Sequence, residues 1–432
     1  MGAARDYDAD FEEAALAVQQ RQMTGATLRV IDADDDLPLD VEPAPLWPCR
    51  PFAWKDPATL PTRESVYGRH YVRKFVSATF SPGGLGKSSL ACVEALVMAS
   101  GKPLLGVKPV GRTVVAYWGG EDPEDETERR VMAAAVHHGL TAADLSAHGV
   151  ESEDPSGAML YLGSGRQVPI VLAEQQASGV TINGPNVEAI EAMISAYGIG
   201  VVIIDPFVSS HRVSENDNNA IDRVVKAWAQ IADRRNVSVE LVHHTRKGNG
   251  AETTVEDGRG ATALLYAARS ARVLNGMTQE EADRAGVENR YEYFRLDHGK
   301  ANMAPRSGVS AWHRLVNFDL DNGWNVGPSD HIGVVTAWDW PDAFSGVTAA
   351  DLLAVQKAID AGHWRENIQA AEWAGKAVAE AMGLDLDDKG GRQKAKNLLR
   401  NWLKEGALTR IIGRDGKGNE RPMIEVGKWV EP

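Results

Sequence analysis

Apolar positions along this chain follow two alternating rhythms. Short, almost continuously apolar runs at 75–80, 113–118, 201–205 and 237–242 read as buried strands. Between them the apolar residues recur at helical spacing, at 90–100, 124–139 and 186–197, where Val187, Ile190, Met193, Ile194 and Tyr197 share a face. A further helix over Asn218–Arg235 turns Ile221, Val224, Val225, Trp228, Ile231 and Ala232 inward. Strand and helix in alternation predict an α/β fold with a mostly parallel sheet. Weaker runs at 159–162, 168–172, 269–274, 291–296 and 312–316 predict additional strands.

The rhythm breaks over 323–345, where Gly327-Pro328, Pro341 and Gly346 cluster, and this predicts a domain boundary. One domain then covers 47–325 and a second 345–432. The second reads as helices at 348–361, 370–382 and 389–405, the first of them opened by the capping pair Thr348 and Asp351. Strands at 407–412 and 421–426 flank the turn at 414–419, so the expectation is a winged-helix-like module. In its third helix Leu398, Leu399, Trp402 and Leu403 face inward, while Arg392, Lys394, Lys396 and Arg400 point out. That basic face fits a duplex-binding surface, with Arg392 and Lys396 as candidate contacts; a solvated face or a protein-docking module are the alternatives.

Charge sharpens this division. The 432 residues carry a net −14, which argues against a surface that coats nucleic acid indiscriminately. Residues 1–60 hold 5 Lys/Arg against 12 Asp/Glu, whereas 389–428 hold 11 against 4. Residues 1–46 therefore read as an acidic extension with little to bury. The two cysteines, Cys49 and Cys92, lie far apart and predict a reducing compartment. With no apolar run of membrane-spanning length and no secretory layout at the N-terminus, the expected location is cytoplasmic, away from any membrane.

The chemistry concentrates where the first strand meets its helix, at Ser81-Pro82-Gly83-Gly84-Leu85-Gly86-Lys87-Ser88-Ser89. Glycines let backbone N–H groups turn in on a polyphosphate, Lys87 can reach its distal phosphates, and Ser88 offers a hydroxyl to Mg²⁺. Ser81 stands where the strict phosphate-loop pattern has its first glycine. The strand at 201–205 closes on Asp205, the shape of a strand that holds Mg²⁺, and Pro206 leaves no neighbouring glutamate there. Glu121, at the end of the strand at 113–118, is therefore the candidate for orienting water. His243-His244 end a further strand, and the absence of a second Cys/His cluster argues against zinc. Residues 245–260, with Arg246, Lys247 and Arg259, read equally as a solvated connection or a nucleic-acid contact.

Taken in order, these motifs resemble RecA-fold ATPases close to the hexameric plasmid replication helicase RepA and its phage-encoded relatives. The resemblance covers 50–316 and includes Arg295 with Lys300-x-Asn302-x-x-Pro305. It implies that Ser81, Gly83, Gly84, Gly86, Lys87, Ser88 and Ser89 cradle ATP, that Ser88 and Asp205 hold Mg²⁺, and that Glu121 polarises the attacking water. It further implies a γ-phosphate sensor at His244 and an arginine finger at Arg295, assisted by Lys300 and inserted into a neighbouring subunit. The loop with Arg246, Lys247 and Arg259 would face single-stranded DNA in the channel of a ring, six subunits in the family. The resulting expectation is a Mg²⁺-dependent, DNA-stimulated ATPase acting as a helicase. The alternatives are an ATP-dependent loader or switch without unwinding, and a non-hydrolysing DNA-binding regulator.

Overall fold

The computed structural model describes residues 52–149, 157–177, 179–245, 253–254, 261–301, 310–323, 327–341, 344, 347–414 and 418–430. The chain divides into two units, Met1–Pro61 and Thr62–Pro432. The described part of the first holds one short 3-10 turn, Pro57–Thr59, whose first N–H groups are met by the Asp56 side chain through a 2.9 Å bond from the Ala58 amide.

The second unit opens with a small antiparallel pair, β1 (Ser65–Tyr67) and β2 (Tyr71–Val72). Then follow β3 (Val76–Ser81), α1 (Lys87–Ser100), β4 (Val114–Gly119), α2 (Glu124–His137) and β5 (Leu160–Ser164). After them come β6 (Ala173–Gln176), β7 (Gly179–Ile182), α3 (Gly184–Tyr197), β8 (Ile199–Asp205), α4 (Asn218–Arg235) and β9 (Ser238–His244). The core closes with α5 (Ala261–Ala267), β10 (Ser270–Gly276), α6 (Gln279–Ala285), β11 (Tyr293–Ala301), β12 (Ala311–Asp319) and β13 (His331–Ala337).

One nine-stranded sheet organises these elements in the order β13-β12-β11-β10-β3-β9-β8-β4-β5. From β10 to β5 every neighbour is parallel, and β11, β12 and β13 add an antiparallel extension at one edge. The parallel strands are buried on both faces, which is why they read as continuous apolar runs instead of alternating ones. On one face Phe80, Val202, Ile204 and Leu241 pack against α4 through Val224, Trp228 and Ile231. On the other, Val115, Val201 and Ile203 pack against α1, which is buried from Leu90 to Ser100 because β13 lies over its far side through Val334 and Val335.

Two expectations are corrected here. Residues 168–172 form no strand: Pro169 lacks an N–H for a ladder, and the Leu172 backbone instead bonds singly to Ser210 O and Asn183 N, at 2.8 and 2.9 Å. The ladder falls just downstream, in the pair β6 and β7. Nor does the chain leave the core at 325. Residues 322–330 are the connection of a hairpin, closed by Asn322 and Asp330, and β13 pairs with β12 along its whole length. The Gly-Pro cluster marks a tight connection between two strands of the same sheet.

Beyond it stand α7 (Ala349–Asp360), β14 (Trp364–Arg365), α8 (Ala374–Met382), α9 (Lys389–Glu405), β15 (Leu408–Arg414) and β16 (Glu420–Val426), with a small antiparallel sheet in the order β14-β16-β15. The capping box is present: Asp351 Oδ2 accepts from the Thr348 N–H at 2.8 Å and the Thr348 hydroxyl accepts from the Asp351 N–H at 3.2 Å. Val355, Val378, Leu398, Leu399 and Trp402 make the separate core of this part.

Candidate functional site

The C-terminal ends of β3, β9, β8 and β4 lie side by side, and each delivers a candidate residue to one edge of the sheet. After β3 the backbone turns through Gly84 and Gly86, at φ +84° and +85°, a region closed to side chains at acceptable cost. Gly86 is also confined by the extension, since a Cβ there would lie 3.1 Å from Leu315 Cδ1. Ser81 is the last residue of β3, in extended backbone, with its carbonyl accepting from the Thr245 N–H at 3.0 Å. The left-handed positions both keep their glycines, and the departure from the strict motif falls where any residue fits.

Gly86 caps α1, so the first N–H groups of that helix point at the loop with the positive end of its dipole. Lys87 opens the helix, half-buried, and makes no ion pair among the described residues. Burial pushes its pKa down, against the pull of the Asp205 and Glu121 carboxylates.

Asp205 ends β8, buried, in register with Gly119 of β4. Its Oδ2 accepts a 2.8 Å hydrogen bond from the Tyr117 hydroxyl, whose own pKa is raised by burial and by that carboxylate. Glu121 follows two glycines past β4 and is exposed. Gly120 is required there, because a Cβ would sit 2.4 Å from Ser209 Cβ. Arg166 Nε donates to the Glu121 carbonyl at 2.7 Å, and Asp122 pairs with Arg130 at 2.5 Å, so the segment is fastened on both sides.

The two histidines of β9 part company. His243 is buried between Phe80 and Phe207, at ring distances of 5.8 and 6.1 Å. His244 stands in register with Ser81, half-buried, and burial together with the Lys87 charge holds its pKa below the ordinary value. It is neutral at neutral pH and presents one N–H donor.

Arg295 and Lys300, on β11, are engaged within their own chain. Arg295 is 9 % exposed, with Nη1 donating to Glu281 Oε1 at 2.5 Å and Nε to Asp297 Oδ2 at 2.9 Å. A guanidinium so held does not reach another subunit without leaving two carboxylates. Lys300 Nζ donates to the Leu265 and Tyr266 carbonyls at 2.7 and 2.9 Å, closing the last turn of α5. Arg246, Lys247 and Arg259 lie outside the described residues. Arg392 and Lys396 stand on α9, far along the chain from the loop, where Arg392 Nε bonds the Leu386 carbonyl at 2.9 Å.

Sequence reasoning missed the polar cluster within the sheet. Arg272 of β10 forms a two-pronged pair with Glu94 of α1, at 2.7 and 2.5 Å, and donates through Nε to Thr79 Oγ1 at 2.8 Å. Tyr71 donates to Glu94 at 2.7 Å, and Glu240 of β9 accepts from Ser77 and Thr79 and lies 2.9 Å from His70 Nε2. Burial alone would raise the Glu240 carboxyl; His70 and Arg272 outweigh it and hold it down. The helix that carries Lys87 is thereby tied to three strands of the sheet. Isolated charges within apolar runs were the only signal for this in the sequence.

Residues 44–250 match the family model described as "AAA domain". The core is a RecA-fold, helicase-like ATPase. Solved structures similar to this ATPase core include the ATPase domain of a phage helicase, at 14 % identity and TM-score 0.38 over 55 % of this chain and 81 % of that one. A DnaB-like replicative helicase, described together with its interactions with primase, matches at 15 % identity and TM-score 0.39 over 57 % of each chain. The RadB recombinase matches at 13 % identity and TM-score 0.36 over 57 % of this chain and 89 % of that one. Among the described residues no helix of the ATPase is long and apolar enough to cross a membrane.

Mg²⁺ fits this donor set. Among the described residues no group of three or more His, Cys, Asp or Glu side chains could hold an ion. Mg²⁺ needs no such cage, since it takes one or two protein oxygens and completes its shell with phosphates and water. The Ser88 hydroxyl and the Asp205 carboxylate, beside a lysine with no carboxylate bound to it, are of that kind.

Proposed function

We propose that this protein hydrolyses ATP with Mg²⁺ and couples the reaction to work on DNA, as a replicative-type helicase assembled into a ring. The observation that carries the reading is the arrival of Lys87, Ser88, Asp205, Glu121 and His244 at the ends of four adjacent strands. Phosphoryl transfer asks little covalent chemistry of the protein and much positioning and charge.

In this reading the loop amides and the Lys87 ammonium hold the phosphates, with Ser88 and Asp205 as the protein ligands of the metal. Bound Mg²⁺ supplies charge neutralisation on the β- and γ-oxygens. Tyr117 orients the Asp205 carboxylate through its 2.8 Å bond. The exposed Glu121 carboxylate accepts a hydrogen bond from the attacking water and takes its proton, while the neutral His244 donates its ring N–H to the γ-phosphate. Arg295 serves as a finger in trans only after assembly draws it from Glu281 and Asp297, which makes turnover depend on the neighbouring subunit. The loop with Arg246, Lys247 and Arg259 contacts single-stranded DNA in the channel.

Strand displacement and ATP turnover, measured with the wild type and Lys87→Ala, test the proposal. Both activities are expected in the wild type and lost in the variant. Absence of unwinding in either polarity by a folded, oligomeric wild type removes the helicase reading. Doping wild type with Arg295→Ala subunits separates the ring reading: a loss steeper than linear is expected, and a linear loss removes the finger in trans.

A further inference from the structure

The basic helix α9 does not stand free. Lys389 Nζ lies 3.4 Å from Asp283 and donates to the Val287 carbonyl at 3.2 Å, and Asn397 Nδ2 donates to the Arg284 carbonyl at 3.2 Å. Gly390 packs so close to Gly286 that a Cβ on Gly286 would meet the Gly390 Cα at 3.0 Å. The stripe Lys389, Gln393, Asn397, spaced at helical intervals of four, is therefore spent on the turn that follows α6.

The adjacent stripe is not covered. Lys396, Leu399, Arg400 and Leu403 form one wall of an open cleft of about 410 Å³, with α6 on the other side. Its floor is apolar: Trp373 and Leu399 at the bottom and Ile368, 41 % exposed, at the mouth. The acids at the rim are already used, Glu366 by Arg410 at 2.6 Å and Asp283 by Lys389. The cations Arg284, Lys396 and Arg400 have no carboxylate partner among the described residues, and Arg284 lies over the Trp340 ring at 5.4 Å. Uncompensated positive charge thus surrounds an apolar slot.

A duplex would use those cations but leave the slot unfilled, and α9 could enter a groove only by giving up its contacts with α6. A peptide with carboxylates flanking an apolar side chain satisfies both features at once, the anchor filling the slot and the acids meeting the rim. We propose that the cleft between α6 and α9 docks an acidic, apolar-anchored peptide segment of a partner protein.

The test uses the full chain and a labelled synthetic peptide with glutamates on either side of a leucine–tryptophan pair, read by fluorescence anisotropy. A control peptide carries lysines in place of the glutamates, and a duplex oligonucleotide is the competitor. Saturable binding of the acidic peptide alone is expected. Lys396→Glu with Arg400→Glu should weaken it by about tenfold or more, the size of effect that loss of a complementary charge pair gives at an interface. Ile368→Glu should weaken it by about as much through loss of the anchor pocket. Ile368, Lys396 and Arg400 are not core residues, and unchanged circular dichroism and ATP turnover confirm the fold of each variant. No saturable binding of the acidic peptide overturns the proposal. So does binding indifferent to Ile368→Glu, which marks charge attraction without a slot, or a duplex that binds through Lys396 and Arg400 and displaces the peptide.

Discussion

Tyr117 and Asp205, 88 positions apart in the sequence, meet across adjacent strands with the phenol donating to Oδ2 at 2.8 Å. The bond fixes the carboxylate that the proposed function assigns to Mg²⁺, with one oxygen turned toward the tyrosine. Tyr117→Phe removes a hydrogen bond to a charged group, worth about 1.5–3 kcal/mol. The Mg²⁺ concentration for half-maximal ATP turnover should then rise by about tenfold, with the thermal midpoint little changed. A magnesium titration that superimposes on the wild type's argues against the assignment of Asp205.

Ser81→Gly restores the strict phosphate-loop pattern and should do nothing for turnover, because Ser81 sits in extended strand backbone. It should cost about 0.5–1 kcal/mol of stability, the penalty of glycine inside a strand. Gly86→Ala should behave in the opposite way. At φ +85°, with Leu315 3.1 Å from the added methyl, it costs about 1–2 kcal/mol and displaces the loop, so nucleotide binding falls. Turnover and denaturant midpoints of the two variants check the contrast.

Glu121→Gln leaves an exposed side chain of the same shape and removes a base. Hydrolysis should fall by about a hundredfold or more while binding of a fluorescent ATP analogue is retained. Unaltered hydrolysis assigns the water to another residue.

Arg272→Met leaves Glu94 and Glu240 buried without their cation. Breaking such a pair costs about 3–5 kcal/mol, so the urea midpoint should drop sharply. The double variant with Glu94→Gln should recover part of that loss, since the stranded carboxylate is gone. Equal midpoints for the single and double variants overturn this account.

Burial holds His211 and His313 down to about 4, His211 with help from His243 and His313 with help from Arg272, against an ordinary value of 6.5. Between those limits the unfolded chain binds more protons than the folded one, so the stability present above pH 6.5 drains away as pH falls toward 4. The slope is up to about 1.4 kcal/mol per pH unit for each histidine. Urea unfolding across this range should show it, and His211→Gln with His313→Gln should flatten it.

How much of this was legible beforehand follows from how far apart the interacting residues lie. Alternation of apolar runs and amphipathic stretches determined the strands and helices of the α/β core, and α4 occupies the span its periodicity marked. Gly84, Gly86 and Lys87 announced a strand–loop–helix turn because positive φ and an opening helix are properties of a few consecutive residues. The Thr348–Asp351 cap was equally local. Only the tertiary structure decided that β9 lies between β3 and β8, that β13 folds over α1, and that Tyr117 finds Asp205. It alone drew Arg295 into a pair of carboxylates and set α9 against α6. Periodicity tells which face of an element must leave water, whereas the partner that covers that face is chosen by the packing of the whole sheet.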